Sequence, residues 1–262
     1  MSVASDHLTR AAELLFDAHR LAIPISPLTQ TYPGLTVGDA YAIQRLNLAR
    51  HLQRGAVLCG HKIGLTSAPM QQLLGVDEPD FGYVLDDMVL ADGATVPVGT
   101  LCAPRVEPEV AFRLRVPLRG PGVSAADVMA ATEAVAPALE IVDSRIADWR
   151  ITLADTIADN ASSAAVVLGE WVQIAEAPRL PDSTATLTVN DSTVDSGEGA
   201  AVMGDPAAAV AWLANALAAY DIAIDAGQIV MSGSYTTAAF VVGGDRASAH
   251  LSGLGTVTVA FE

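Results

Sequence analysis

The stretch PRVEPEVAF, Pro104 to Phe112, alternates apolar and charged side chains in a way that decides how the rest of the chain is read. Val106, Val110 and Phe112 share one face of a strand, and Glu107 and Glu109 share the other. Residues two apart on a strand lie about 7 Å apart at Cα, so both carboxylates project into one space. Pro108, between them, cannot donate to a ladder, which predicts an edge position or a local distortion of that strand. A third glutamate, Glu140, lies in APALEIVDSR, a second apolar run that reads as a strand with Leu139 and Ile141 opposite it.

Around this stretch the chain reads as α+β, with strands in runs and helices inserted rather than strict βαβ alternation. Candidate strands cover 57–65, 82–90, 104–116, 137–143, 163–168, 184–190, 227–233 and 255–261. Residues 5–21 have helical apolar spacing, and TVGD at Thr36–Asp39 is a capping box opening a second helix to about Gly55. The segment between them, IPISPLTQTYPG, reads as an extended connector. The predicted organisation is an N-terminal helical hairpin over 1–55 and a β-rich body over 56–262 that forms a single functional domain. Two further helices are expected, SAADVMAATEAVA from Ser124 and DPAAAVAWLANALAAY from Asp205 with Pro206 in its first turn.

The 262 residues include 30 acidic and 14 basic side chains, for a net charge of −16. Without a Lys/Arg run, this balance argues against nucleic acid and against anionic membrane surfaces as partners. An anionic substrate would need local positive charge from a metal, a lysine or backbone N–H groups. Cys59 and Cys102 are too few for a disulfide framework and read as buried small hydrophobes, in keeping with a cytoplasmic protein. The N-terminal stretch lacks the pattern of an export signal, and the apolar run 207–220 is short for a membrane span and carries Asn215.

Two readings of the glutamates are open at this level. Carboxylates converging from apolar strands repel one another and need protons or a cation, and an all-oxygen donor set suits magnesium, manganese or calcium. Alternatively, Glu107 and Glu109 face solvent and Glu140 pairs with Arg145 or Arg105. Lys62, between Gly60 and Gly64, and Asp80, after Pro79, are further candidates, and His61 points to the other face of its strand. Asn160, Ser162 and Ser163 precede an apolar strand. Ser232, Ser234, Thr236 and Thr237 follow another, and all of these also read as loop or turn residues.

Four segments taken together resemble a known family. They are GHKIGLTSAPMQQLLGVDEPDFGYVLDDM, PRVEPEVAF, PALEIVDSRIADWRITLADTIADNASSA and GDPAAAVAWLANAL. From about residue 25 onward the chain is similar to the hydratase and decarboxylase branch of the fumarylacetoacetate hydrolase superfamily, and specifically to the 2-hydroxypenta-2,4-dienoate hydratases of meta-cleavage pathways.

The resemblance implies a mostly antiparallel β-barrel or roll with peripheral helices, often oligomeric, and a divalent metal, magnesium or manganese, on Glu107, Glu109 and Glu140. It assigns proton transfer to Lys62 and Asp80, and substrate binding to Ser162, Ser234 and Thr236. The implied reaction adds water to a 2-hydroxy-2,4-dienoate, through its 2-oxo-4-enoate tautomer, to give a 4-hydroxy-2-oxo acid. The implied partners are that anionic dienoate, further copies of the chain, and a pathway decarboxylase or aldolase. A 4-oxalocrotonate-type decarboxylase shares the EPE and LEI…DSR spellings, whereas SRIADW and DTIADNASSA are closer to the hydratases. A catalytically silent partner subunit is the reading of another class.

Overall fold

A computed structural model of the chain describes residues 3–67, 71–72 and 75–262. Residues 68–70 and 73–74, inside the long segment that begins at Gly60, lie outside the described residues, as do residues 1–2 of the N-terminal stretch. Helices α1 (Val3–Leu21) and α3 (Val37–Gln53) form where the apolar spacing places them. Thr36 caps α3 as expected: its hydroxyl accepts from Asp39 N at 3.1 Å and its N–H donates to Asp39 Oδ2 at 3.0 Å. The connector is not wholly extended, because Leu28–Thr31 closes one helical turn, α2, that buries Leu28.

Among the described residues, the strands form two sheets. The larger contains β1 (Leu58–Gly64), β2 (Asp80–Leu85), β3 (Val89–Ala91), β5 (Arg105–Leu114), β6 (Thr132–Val142), β7 (Ser163–Leu168) and β11 (Ile229–Met231). Its order is β2-β1-β11-β5-β6-β7-β3; β8 (Val172–Gln173) also pairs with β6 and β12 (Ala239–Phe240) with β5. The smaller contains β4 (Ala94–Val96), β9 (Thr184–Val189), β10 (Ser192–Glu198), β13 (Arg246–Leu251) and β14 (Gly255–Phe261), in the order β10-β9-β13-β14-β4. Most pairs are antiparallel, while β1–β11, β3–β7 and β4–β14 are parallel, so both sheets are mixed.

Strand alternation divides the larger sheet into two unlike faces. Val106, Val110 and Phe112 of β5 and Leu139 and Ile141 of β6 are fully buried in the main core, with Ala249, Leu251, Val257 and Val259 from the smaller sheet. The opposite face holds a small apolar cluster, Val84, Ala111, Ala138, Val166, Ile229 and Met231. Ala11, Ala12 and Leu15 of α1 and Ala40, Tyr41 and Ile43 of α3 join the main core, with Tyr41 stacked on Phe81 at 4.4 Å. Buried Gln44 of α3 donates to both Phe81 O and Ile157 O at 2.9 Å, tying α3 to β2 and to the helix α5 (Leu153–Ala158).

Several expectations need correction. The helix from Ser124, α4, ends at Ala131, because Thr132 opens β6, which is buried along almost its whole length and wins the residues assigned to a longer helix. The strand expected at 82–90 is two strands separated by a turn at Asp86–Met88. Strands β4, β8, β10, β12 and β13 escaped the reading; β13, RASAHL, alternates with small alanines, and β10 is largely exposed. Cys59 and Cys102 are unpaired and only half-buried. The run Gly199–Tyr220 is apolar enough to cross a membrane by length and composition. Here its helix, α6 (Pro206–Leu217), places Ala207, Val210, Leu213, Ala214 and Leu217 in the main core.

Replacing Gln44 by Ala removes one buried donor from Phe81 O and one from Ile157 O, which still accepts from Asp159 N. Denaturant unfolding should show a loss of about 1–3 kcal/mol at unchanged m-value, and an unchanged midpoint would contradict this account of how α3 is anchored.

Candidate active site

The register of β5 on β6 sets Glu107 directly opposite Glu140 and Glu109 opposite Ala138, so all three carboxylates rise from the face of the larger sheet turned away from the main core. One oxygen from each lies within 4.8 Å of the others. Glu109 and Glu140 are completely buried, and Glu107 retains some exposed surface although its carboxyl is enclosed by protein. Pro108 is not on an edge strand. Its ladder to β6 is continuous, and on its other side the partner is broken between β11 and β12, so its missing N–H falls where residues 232–238 leave the sheet. There Tyr235 N donates to Pro108 O at 3.0 Å, and Gly233 N donates to Glu109 Oε2 at 2.8 Å.

Lys62 and Asp80 reach the same face from β1 and β2. Lys62 pairs across the sheet with Met231 and Gly82, both on that face, while His61 pairs with Val230 and points into the core. Lys62 Nζ lies 3.5 Å from Glu140 Oε1, with both side chains buried. Gly64 is directly opposite Asp80, and a Cβ at Gly64 would sit 2.2 Å from Asp80 Oδ1 and 3.2 Å from Lys62 Nζ. A hydrogen at this position leaves room for both the amine and the carboxylate.

Neither arginine proposed as an alternative partner of Glu140 plays that part. Arg145 is buried against Asp159, with Nε 2.6 Å from Oδ1, and Arg105 packs against the rings of Trp149 and Phe240. Glu140 has Lys62 instead, and both of its oxygens, like Glu109 Oε1, are buried without a hydrogen-bond partner. Uncompensated oxygens this close, all hard donors, fit a divalent cation of the magnesium or calcium type. Burial and then the neighbouring Glu140 push the Glu107 carboxyl up to about 7, and burial with Glu140 and Glu107 pushes Glu109 well above the usual carboxylate range. For Lys62, burial works against the charge, but Glu140, Asp80, Glu107 and Glu109 outweigh it and hold the amine above its ordinary value. Asp80 is raised, chiefly by burial, with Lys62 opposing and Glu140 reinforcing the shift.

Ser162 joins this group indirectly. Its Oγ lies 3.3 Å from the Thr156 hydroxyl, and Thr156 in turn acts on the Asp80 carboxyl, opposing its upward shift. It ends the run Asn160–Ser162, three consecutive residues with left-handed backbone (φ 56°, 50° and 56°). Such a run is costly for residues other than glycine and persists only where the surroundings impose it. Here Asn160 exchanges side-chain hydrogen bonds with Tyr83 N and O at 2.8 and 3.0 Å, and its backbone lies so close over Gly82 that no Cβ would fit there. Ser234 and Thr236 are placed next to Gly233, but their hydroxyls are engaged within their own turn: Ser234 Oγ donates to Thr236 O at 2.9 Å and Thr236 Oγ1 to Thr237 O at 3.0 Å. Thr237 is bound to Asp195. Ser232 Oγ and Ser163 Oγ are buried without partners.

Three contributors escaped the sequence reading: Thr156, the N–H of Gly233, and Thr66, which packs where a Cβ of Gly233 would be. No local pattern marks them, since each acts through a contact made only in the folded chain. A cavity of about 150 Å³, lined by His19, His51, Tyr83, Asp159 and Ser163, lies on the core side; Asn160 and Ser163 border it, whereas Lys62, Asp80, Glu107, Glu109, Glu140, Ser162, Ser234 and Thr236 do not.

The fumarylacetoacetate (FAA) hydrolase C-terminal family matches residues 44–262. The chain is 44% identical over 249 residues to a 2-hydroxyhexa-2,4-dienoate hydratase of Comamonas testosteroni, covering 94% of each. It is 42% identical over 252 residues to a 2-keto-4-pentenoate hydratase of Paraburkholderia xenovorans (strain LB400), covering 96% of this chain and 94% of the relative. Its fold superposes on 4-oxalocrotonate decarboxylase from Pseudomonas putida G7, solved in complex with magnesium and adipate, with a TM-score of 0.96, 33% identity and full coverage of both chains.

The titration of Glu107 has a defined sign. Its carboxyl rises from 4.5 to about 7 on folding, so the stability tied to its protonated form is fully present below pH 4.5 and is lost as pH rises through about 7. Metal-free protein should therefore lose melting temperature across that window, and less of it as the Glu107→Gln variant. Added magnesium should raise the melting temperature more above pH 7 than below it; a magnesium effect independent of pH would contradict the cluster as a cation site.

Proposed function

We propose, for a chain that belongs to the fumarylacetoacetate hydrolase family, the activity of a divalent-metal-dependent hydratase, a hydro-lyase that adds water to a 2-hydroxy-2,4-dienoate through its 2-oxo-4-enoate tautomer. The observation that carries this reading is the meeting of Glu107, Glu109 and Glu140, with uncompensated oxygens, beside Lys62, which pairs with Glu140, and Asp80 on one sheet face. Two relatives above 40% identity are named hydratases, which favours water addition over the decarboxylation named for the structural relative.

Glu107, Glu109 and Glu140 would hold magnesium or manganese. When bound, the ion supplies Lewis acidity and the positive charge that an acidic protein otherwise denies to a 2-oxo carboxylate. Gly233 N–H steers Glu109 by holding one of its oxygens. Lys62 loses part of the support for its charge once the three glutamates are neutralised, and so becomes able to give a proton to the dienoate carbon chain. Asp80, raised by burial and next to Lys62, is suited to receive and return that proton. Ser162, coupled to Asp80 through Thr156, is suited to orient the attacking water, and Ser234 and Thr236 to border the substrate. The finer architecture belongs to the same proposal: an N-terminal helical hairpin over 1–55, a barrel-like body over 56–262, and a cytoplasmic homo-oligomer working beside a pathway decarboxylase or aldolase.

Purified protein incubated with magnesium or manganese and 2-hydroxypenta-2,4-dienoate should give a product heavier by one water, whereas loss of carbon dioxide from 4-oxalocrotonate would select the decarboxylase reading. Glu107→Gln should abolish metal-dependent turnover in a folded protein. Lys62→Met should lower kcat by roughly 10²–10⁴-fold, the range for a lost general acid or base. Undiminished turnover in either variant would remove that residue from the site.

A further inference from the structure

Residues 232–237 leave β11 and form the turn beside the carboxylate cluster, and strands of two different sheets hold its two halves. The first half is fastened to β5: Ser232 N donates to Val110 O at 3.2 Å, Gly233 N to Glu109 Oε2 at 2.8 Å and Tyr235 N to Pro108 O at 3.0 Å. The Tyr235 side chain is buried, with its hydroxyl 3.1 Å from Ser183 Oγ. The second half carries Thr236 and Thr237. Thr236 keeps its hydrogen bonds inside the turn, donating from N to Ser234 Oγ and from Oγ1 to Thr237 O. This half is fastened to the rest of the molecule by Asp195, whose Oδ2 accepts from Thr237 N at 2.9 Å and from Thr237 Oγ1 at 2.7 Å.

Asp195 belongs to the other sheet. It lies on β10, the end strand of the smaller sheet, where the register against β9 slips between Thr193 and Asp195 and leaves Val194 as an extra residue. A bulge of this kind bends an edge strand and re-aims the side chains beside it. Two residues further on, the β10 backbone comes so close to Tyr235 O that no Cβ would fit at Gly197. The aspartate therefore reaches the turn from a strand that touches it. Its Oδ1 accepts from Ser196 N at 2.8 Å, which sets the orientation of the carboxylate. These bonds, the Thr237 hydroxyl first among them, hold the Asp195 carboxyl below its ordinary value, so the acceptor is the charged form.

We infer that Asp195 is a positioning residue: from the edge of the smaller sheet it fixes Thr237, and through it the placement of Ser234 and Thr236 beside the bound 2-oxo acid. This rests on the proposed function, in which Ser234 and Thr236 border the substrate. Gly233 and Tyr235 are tied to β5 independently, so the Glu109 carboxylate does not depend on Asp195 for its place. Substrate fit and metal binding are thus held by strands of different sheets, and a substitution in β10 separates them.

The test uses 2-oxopentanoate, a 2-oxo acid with no double bond to hydrate, titrated calorimetrically into magnesium-loaded protein; magnesium is titrated separately into metal-free protein. Asp195→Ala should weaken 2-oxopentanoate about 10-fold and raise KM for 2-hydroxypenta-2,4-dienoate by a similar factor, the size expected for loss of a charge-assisted contact. Magnesium affinity and kcat should stay close to wild type, the signature of lost binding rather than lost chemistry. Asp195→Asn, which keeps an acceptor oxygen for Thr237, should restore most of the affinity. Thr237→Val, which removes one of the two bonds, should give a smaller loss and should add nothing to Asp195→Ala. Unchanged 2-oxopentanoate affinity in Asp195→Ala, or a parallel loss of magnesium affinity, would overturn the role of Asp195 and leave the hydratase reading standing. Wild type that binds magnesium but not 2-oxopentanoate would overturn both together.

Discussion

Three carboxylates within 4.8 Å, two of them completely buried, impose the constraint that the surrounding structure answers. Each pays desolvation and each repels the others, so such a cluster persists only with charge or hydrogen bonds brought to it. The chain brings both. Lys62 supplies a buried ammonium at 3.5 Å from Glu140, and Gly233 supplies a backbone N–H to Glu109 at 2.8 Å. What they leave uncompensated, on Glu109 and on both oxygens of Glu140, is the capacity that a divalent cation would use. Arg105 could have been drawn into this cluster, and its aromatic clamp is what prevents that.

The arrangement depends on a sheet whose two faces do different work. One face of β5 and β6 is aliphatic and seals the core against the smaller sheet, which gives the strands a rigid register. The same register then places Glu107 opposite Glu140 without further instruction, because side chains directly across an antiparallel pair share a face. A slip by one residue would bury the glutamates in the core and expose Val106, Val110 and Phe112, so hydrophobic packing on one side holds the geometry of the other. Glycines serve the polar face where side chains or backbone must approach: Gly64 under Lys62 and Asp80, and Gly82 under Asn160.

Much of this is visible in local patterns, and the failures have physical causes. Alternation in PRVEPEVAF gives β5 and its two faces, and the same logic sends His61 into the core. The helix opened by Ser124 ends sooner than its sequence predicts, because alanine-rich sequence suits a helix and a buried strand alike and burial between two neighbouring strands decides for β6. Arg145, near Glu140 in sequence, belongs to Asp159, since the chain turns away after Val142 and brings α5 and the residues after it back against that arginine. Strands of small residues such as RASAHL carry too little amphipathic signal to be seen singly, and they form because β9 and β14 flank them.

By itself, the sequence determined that two glutamates share a strand face, that a third lies in another apolar strand, and that an acidic chain must answer their charge locally. Those are consequences of side-chain chemistry and a period of two, which act over a few residues. Only the tertiary structure decided that Glu140 faces Glu107, that Lys62 rather than an arginine accompanies it, that Thr156 and Gly233 complete the surroundings, and that Arg105 is held free between two rings. Each of those contacts joins residues far apart in the chain, and its geometry comes from strand register and packing, which exist only once the whole core has formed.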